Sequence, residues 1–500
     1  MKKFMIIAAA AAVLCSCTKN FEDMNVNPNK MVVGSVSPAS LLPNILYSGA
    51  SALVSQTYTL SNELMQYSVS SNTTDAYHRF MIPNGVSASL WNNMARWAAS
   101  ADHMESLCTD ATLANFQAIA ITMRSYYMQI LTDTFGDVPF KEAFKGMDGV
   151  IKPSFDSQRD VYLKLITDLE YANSLYDKKF EMTETQKSKD LLYGGDINKW
   201  RKFTNSLLLR VLMRVTLCDD AEIDATGRMK RILADPGLYP VFTSNDDSAI
   251  LYFSGEDPNL NPYGSTNLVS FESSRRVGQT ILNKMVSYGD PRLPLYFVQT
   301  GGTWKGCISG GATREETGAS DASKINKSMV GDYDSPYSLM NYDELLFIIS
   351  EAAKRGYVDG GDALAGQMYA AGVEASIRHW SSLPGNANPV SEAAISQFLG
   401  KVSYNGTIEQ ILDQKYVALF WCGFESWADY RRTGLPELPI AATTMNDNIH
   451  PRRMVYPVNT GSTNPENYAA VCALLSGKYH GGDDMKTPVW WSKYRVEHNY

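Results

Sequence analysis

The chain has 500 residues, 44% hydrophobic and 20% charged, with a formal net charge of −8. That is enough apolar material for a large core, and beyond the first few residues no segment approaches the roughly 20 apolar residues of a membrane span. The acidic balance argues against nucleic acid, which demands concentrated Lys and Arg, and offers no pull toward anionic lipid.

The start of the chain is the most specific signal. Lys2 and Lys3 precede an apolar run from Phe4 to Leu14, too short to span a bilayer and of the length expected in a secretory leader. The run ends in Leu14-Cys15-Ser16-Cys17, with an aliphatic residue at −3, a small one at −1 and then a cysteine. This predicts a lipoprotein signal peptide over 1–16, lipidation of Cys17, and a lipidated tether over 17–38. Removing Lys2 and Lys3 leaves 43 cations against 53 acids, so the acyl chains alone must hold the protein to its membrane. Five cysteines then remain, at 108, 218, 307, 422 and 472; they are widely spaced, contain no CxxC and read as buried hydrophobes. The Asp23, Asn25, Asn27 alternation lacks the glycine and glutamate of an EF-hand loop.

A single body over 39–500 follows. Helical periodicity runs from 39 to 66 with a break at Pro43, then gives way to a polar, aromatic-bearing stretch over 68–87. It resumes over 89–107 and 113–132, where Phe116, Ile119, Ala120, Met123, Tyr127, Ile130 and Leu131 form one stripe. Asp133-Thr134-Phe135-Gly136-Asp137-Val138-Pro139 stops that helix and reads as a structural turn. Helices follow over 157–176 and 197–218. Residues 238–340 form a loop-rich insert with one helical stripe near 275–288. Helix pairs joined by glycine turns return at 341–355 with 362–380 and at 391–400 with 407–421, extended by 424–432. Alanines on the inner faces allow close approach, so the fold class is mainly α, with tetratricopeptide-like hairpins supporting an irregular loop-rich side. Residues 435–500 are read as irregular.

No nucleophile elbow, zincin helix, P-loop or Rossmann fingerprint is present, and His450 and His480 lack metal-ligand spacing; the expectation is a non-enzyme with no cofactor and no metal. Glu425, Asp429, Arg431 and Arg432 sit within eight residues, with Glu425 and Asp429 four apart. This predicts a structural ion-pair network in which Arg432 offsets the two carboxylates. Trp91 and Trp97 read as core, and Trp427, Trp490 and Trp491 as packing. With 28 Tyr and 9 Trp, sugar recognition is affordable, because an aromatic face covers the C–H face of a pyranose. Aromatics inside polar loops are the better ligand candidates: Tyr77, Trp304, Tyr333 and Tyr337, with His78, Arg79, Asp332 and Asp334 for the hydroxyls.

Several blocks in order resemble the SusD/RagB family of nutrient-binding outer-membrane lipoproteins. They are the Cys17 lipobox, Asn25–Asn29, Asp133–Phe140, Lys415–Phe420, Glu425–Gly434, Pro451–Pro457 and Thr487–Trp491. Glu22-Asp23 after Lys19 resembles the surface-export signal of such lipoproteins. The resemblance implies a cell-surface, lipid-anchored outer-membrane protein. It would capture an oligosaccharide or similar nutrient and deliver it to a SusC-like TonB-dependent barrel transporter, without catalysis. The alternatives are a surface adhesin that binds protein partners and, third, a surface hydrolase.

Overall fold

A computed structural model describes residues 36–71, 76–476, 482–493 and 495. The leader, Cys17 and most of the tether lie outside the described residues. The longer helices are α1 Pro38–Gln56, α2 Asn84–Ser106, α3 Ala114–Phe135, α4 Gln158–Leu175, α5 Ile197–Val215 and α6 Ala225–Ala234. After the insert come α7 Gln279–Tyr288, α8 Tyr342–Lys354, α9 Gly361–Ser381, α10 Glu392–Lys401, α11 Ile408–Ala418, α12 Glu425–Thr433 and α13 Pro465–Leu475.

Local chemistry explains most boundaries. Ser157, Asp196, Ser391 and Thr407 each turn a side-chain oxygen onto a free backbone N–H at the start of α4, α5, α10 and α11. Pro43 does not break α1; the helix runs through it and continues as a π-turn over Thr57–Ser61. Near the N-terminal end a proline forfeits one intrahelical bond, a loss that burial of Leu42, Ile45 and Leu46 offsets. The turn after α3 closes at Gly136, whose φ of +86° is open to glycine. Thr132 Oγ1 donates to the Gly136 carbonyl, Thr134 Oγ1 donates to the Ile130 carbonyl, and Asp137 accepts the Gln158 N–H, which together satisfy the turn.

Successive helices pack in order, α1 on α2, α2 on α3, α3 on α4 and α4 on α5; α8 packs on α5, α9 and α11. Helix far exceeds strand, and no strand among the described residues exceeds four residues. The strands are β1 Ser68–Ser70, β2 Ala249–Leu251, β3 Arg275–Val277, β4 Phe297–Val298, β5 Lys324–Ile325 and β6 Tyr337–Met340. They form one antiparallel sheet in the order β1-β3-β5-β4 and a β2-β6 pair. The segment from α12 onward is less irregular than its composition suggests, since it includes α13.

A charge layer runs through the core where α3, α5, α8, α11 and α12 meet. Arg210 holds Glu344 at 2.7 Å, Arg214 pairs with Glu425 and reaches Asp133 at 3.5 Å, Lys415 pairs with Asp429, and Arg432 bridges Glu351 at 2.6 Å and Asp429 at 3.0 Å. All are buried. Arg431 departs from the expected network and forms no ion pair among the described residues. Its guanidinium stacks on Trp427 at 3.6 Å and Trp491 at 4.8 Å, and donates to the carbonyls of Asp133 and Arg452. The aromatic faces and carbonyls solvate the cation in place of a carboxylate. Trp427 and Trp491 are therefore buried parts of this layer.

Candidate functional site

Three loops are laced together beside the four-stranded sheet. The chain leaves β1, and Tyr77–Arg79 forms one 3-10 turn closed by Phe80 at φ +63°. The backbone N–H of His78 donates to Glu63 Oε2 at 2.9 Å, and Glu63 pairs with Arg275 of β3 at 3.0 Å. His78 Nδ1 accepts the N–H of Gly310 at 2.9 Å, while Ser309 Oγ donates to the His78 carbonyl at 3.3 Å. Arg79 donates twice to the Thr443 carbonyl, at 3.0 and 3.2 Å, and accepts the Met445 N–H at 2.7 Å. Thr443 Oγ1 donates to the Gly310 carbonyl. Gly310, at φ +93°, has no room for a side chain, because a Cβ would lie 2.7 Å from that of Ala441. Residues 68–87 and 296–340 thus approach each other through the sheet and through His78 and Gly310.

The face this junction presents mixes apolar and polar groups. Met81, Ile308, Ile440 and Met445 are exposed, and Arg79 is half-buried beside them. Beneath it lie two titratable groups with displaced affinities for protons. Burial pushes Glu63 up to about 7 despite the opposing charge of Arg275. Burial, with Arg79 and Arg275 adding to it, lowers His78 to about 4, so the ring is neutral near pH 7 with its Nδ1 free to accept.

The structure divides the sequence-derived site residues. Tyr77, His78 and Tyr337, expected as ligand contacts, are buried instead of exposed. Tyr337 is 1% exposed on β6 with its hydroxyl 3.4 Å from Thr57, His78 is 1% exposed, and Tyr77 lies in the core. Burial leaves the polar atoms of two of these rings with partners, the Gly310 N–H for His78 and Thr57 for Tyr337. Arg79 remains on the junction; Trp304, four residues before Ile308 in the chain, is half-buried against the core and precedes Lys305, whose N–H donates to Ser323. Asp332 and Tyr333 belong to a different loop. Asp332 pairs with Lys327 at 2.7 Å, and Tyr333 is 48% exposed over Gly264. No hydrogen bond or ring contact among the described residues joins that loop to Arg79 or Trp304.

Sequence reading missed the third loop, 440–445. Its signal was the Asn446-Asp447-Asn448 run, in which all three residues adopt positive φ, between 55° and 61°. Asn and Asp tolerate this region best among residues with a side chain. Among the described residues no group of three or more His, Cys, Asp or Glu is placed to hold a metal ion, and no helix is long and apolar enough to cross a membrane.

Comparison with known families matches residues 28–457 to SusD-like_2, described as starch-binding associating with outer membrane. Among solved structures, a chitin-binding protein is similar with a TM-score of 0.79 and 25% identity, covering 91% of this chain and 100% of its own. A SusD homolog from Bacteroides fragilis NCTC 9343 gives a TM-score of 0.76 at 23% identity, covering 91% and 100%. A chitin-binding SusD homolog from Flavobacterium johnsoniae gives 0.75 at 21% identity, covering 91% and 98%. A search of curated proteins returns no match.

Proposed function

Because the chain belongs to the SusD-like family, whose description is starch-binding associating with outer membrane, we propose that it is a cell-surface glycan-binding lipoprotein. In this reading residues 1–16 are a signal peptide, Cys17 carries the acyl chains, and the body from 39 onward faces outward. It captures an oligosaccharide and delivers it to a SusC-like TonB-dependent barrel. The observation that carries the reading is the junction of residues 77–81, 308–310 and 440–445. There, exposed apolar side chains and a guanidinium sit on backbone fixed by hydrogen bonds to buried groups. A rigid support holding mixed apolar and polar contacts is what sugar recognition requires.

Arg79 and Trp304 are the contacts proposed at this junction, and Asp332 and Tyr333 form a flanking contact on their own loop. The likeness to a chitin-binding protein at 25% identity supports a glycan ligand. The function is binding and transfer, not bond cleavage. A glycan array probed with the full chain tests the reading: retention of one oligosaccharide class supports it, and retention of none with a folded protein refutes it.

A further inference from the structure

Nine arginines lie in the core of the described residues, and eight are neutralised or solvated by named partners. Arg124 meets Asp102, Glu105 and Asp168; Arg210, Arg214, Arg275, Arg292, Arg432 and Arg453 each hold a carboxylate; Arg431 has carbonyls and two indoles. The ninth, Arg276, has none. It is 8% exposed, its Nε and Nη1 are buried without a hydrogen-bond partner, and no ion pair reaches it among the described residues. A buried guanidinium in that state is costly unless something else supplies acceptors.

Its setting makes the cost larger. Arg276 lies directly opposite Val69 on β1 and Lys324 on β5, so these three side chains share one face of the sheet. Lys324 is a second cation, and its own carboxylate, Glu272 at 2.6 Å, is already engaged. Like charges opposed across strands repel. Val69, opposite Arg276, belongs to a buried apolar cluster with Cys307, Ala319 and Ala322. Asp321, within electrostatic reach of Cys307 as Arg276 is, is spent on Lys305. Cys307 is three residues from Gly310 in the loop junction. Arg79, at that junction, also has no carboxylate partner among the described residues and donates to a carbonyl. In a chain of net charge −8, the loop-rich side therefore carries two guanidinium groups with no carboxylate partner among the described residues.

We propose that Arg276 is a recognition residue for an oxyanion on the ligand, so that the glycan captured here is acidic. The inference rests on the glycan-binding reading and narrows it. A carboxylate or a sulfate ester presents paired oxygens to the guanidinium fork, and the ligand supplies the counter-charge that the described residues lack.

The test measures binding of the full chain to three probes by calorimetry: oligogalacturonates, sulfated chondroitin oligosaccharides, and neutral chito- and malto-oligosaccharides. Wild type is expected to bind one acidic class at least tenfold more tightly than the neutral ones, with an advantage that shrinks as salt is raised from 20 to 300 mM. Whichever acidic probe binds identifies the oxyanion as carboxylate or sulfate. Arg276→Met is expected to lose that advantage while melting at or above the wild-type temperature without ligand, because no native pair is broken. Equal or tighter binding of neutral probes overturns the inference and leaves the glycan reading standing. A lower melting temperature, or failure of the variant to fold, assigns Arg276 to structure and also overturns it. Binding of no probe, with a folded protein, removes the glycan reading and this inference with it.

Discussion

Replacing Asp429 with alanine perturbs the charge layer at its most shared carboxylate. Asp429 accepts from Arg432 at 3.0 Å and pairs with Lys415. Arg432 keeps its bidentate partner Glu351, but Lys415, whose side chain is 5% exposed, loses the one carboxylate it pairs with among the described residues. Breaking one side of a buried pair costs about 3–5 kcal/mol. The low end, about 3 kcal/mol, applies here because Glu425 and Glu344 stay within electrostatic reach of Lys415. With an unfolding entropy of about 2.1 cal/mol/K per residue, a body of this size melts about 3 °C lower for that loss. Burial pushes the Asp429 carboxyl up, yet Lys415 and Arg432 outweigh it and hold it below its usual 3.8. A depressed folded value means the stabilisation is complete above the unfolded value and is lost only as pH falls below it. The deficit should therefore be constant between pH 5 and 8, read by thermal unfolding of the full chain. Adding Lys415→Met to Asp429→Ala should restore most of the loss, since an apolar replacement leaves no orphan charge. A single variant that melts within 1 °C of wild type, or a double variant below the single, would refute this account of the layer.

Four further outcomes are expected. Glu63→Gln keeps an acceptor for the His78 N–H but removes a carboxyl held near 7. A raised folded value makes the native state bind the extra proton between about pH 4.5 and 7, so wild-type stability falls across that window. Relative to wild type the variant should gain as pH rises, by at most about 3 kcal/mol; parallel pH profiles would contradict it. Alanine at Gly278 would place a Cβ 1.9 Å from the Gln66 carbonyl, so it should unfold or strongly destabilise the β1–β3 junction, and a wild-type melting curve would disprove that contact. Trp304→Ala should weaken glycan binding by about 1–3 kcal/mol in calorimetry with the fold retained. Cys17→Ala should leave an unlipidated precursor, and metabolic lipid labelling of that variant would overturn the lipobox assignment.

The helical scaffold is legible because burial imposes a repeat on it. The stripe from Phe116 to Leu131 and the caps at Ser157 and Thr407 each state a face or an end in local chemistry. Pro43 misleads because a proline signal carries no information about how much burial the surrounding turns gain. The ligand side is harder. Tyr77, His78 and Tyr337 sit in polar sequence yet are buried, since what covers them comes from loops more than 200 residues distant, such as Gly310 over His78. The Glu425–Arg432 block could be read as charged, but its partners Arg210, Arg214, Glu344 and Glu351 lie on α5 and α8, and no spacing rule connects them. Arg276 shows the same limit in reverse, because the lack of a partner among the described residues becomes visible only from the folded chain.

The central claim, that the loop junction is a glycan-binding surface, is tested most directly by mapping a bound oligosaccharide. Hydrogen–deuterium exchange of the full chain with and without the tightest array ligand should show protection concentrated at 77–81, 304–310 and 440–445, abolished by Arg79→Ala together with Trp304→Ala. Protection elsewhere, with those three segments unchanged, would contradict the account.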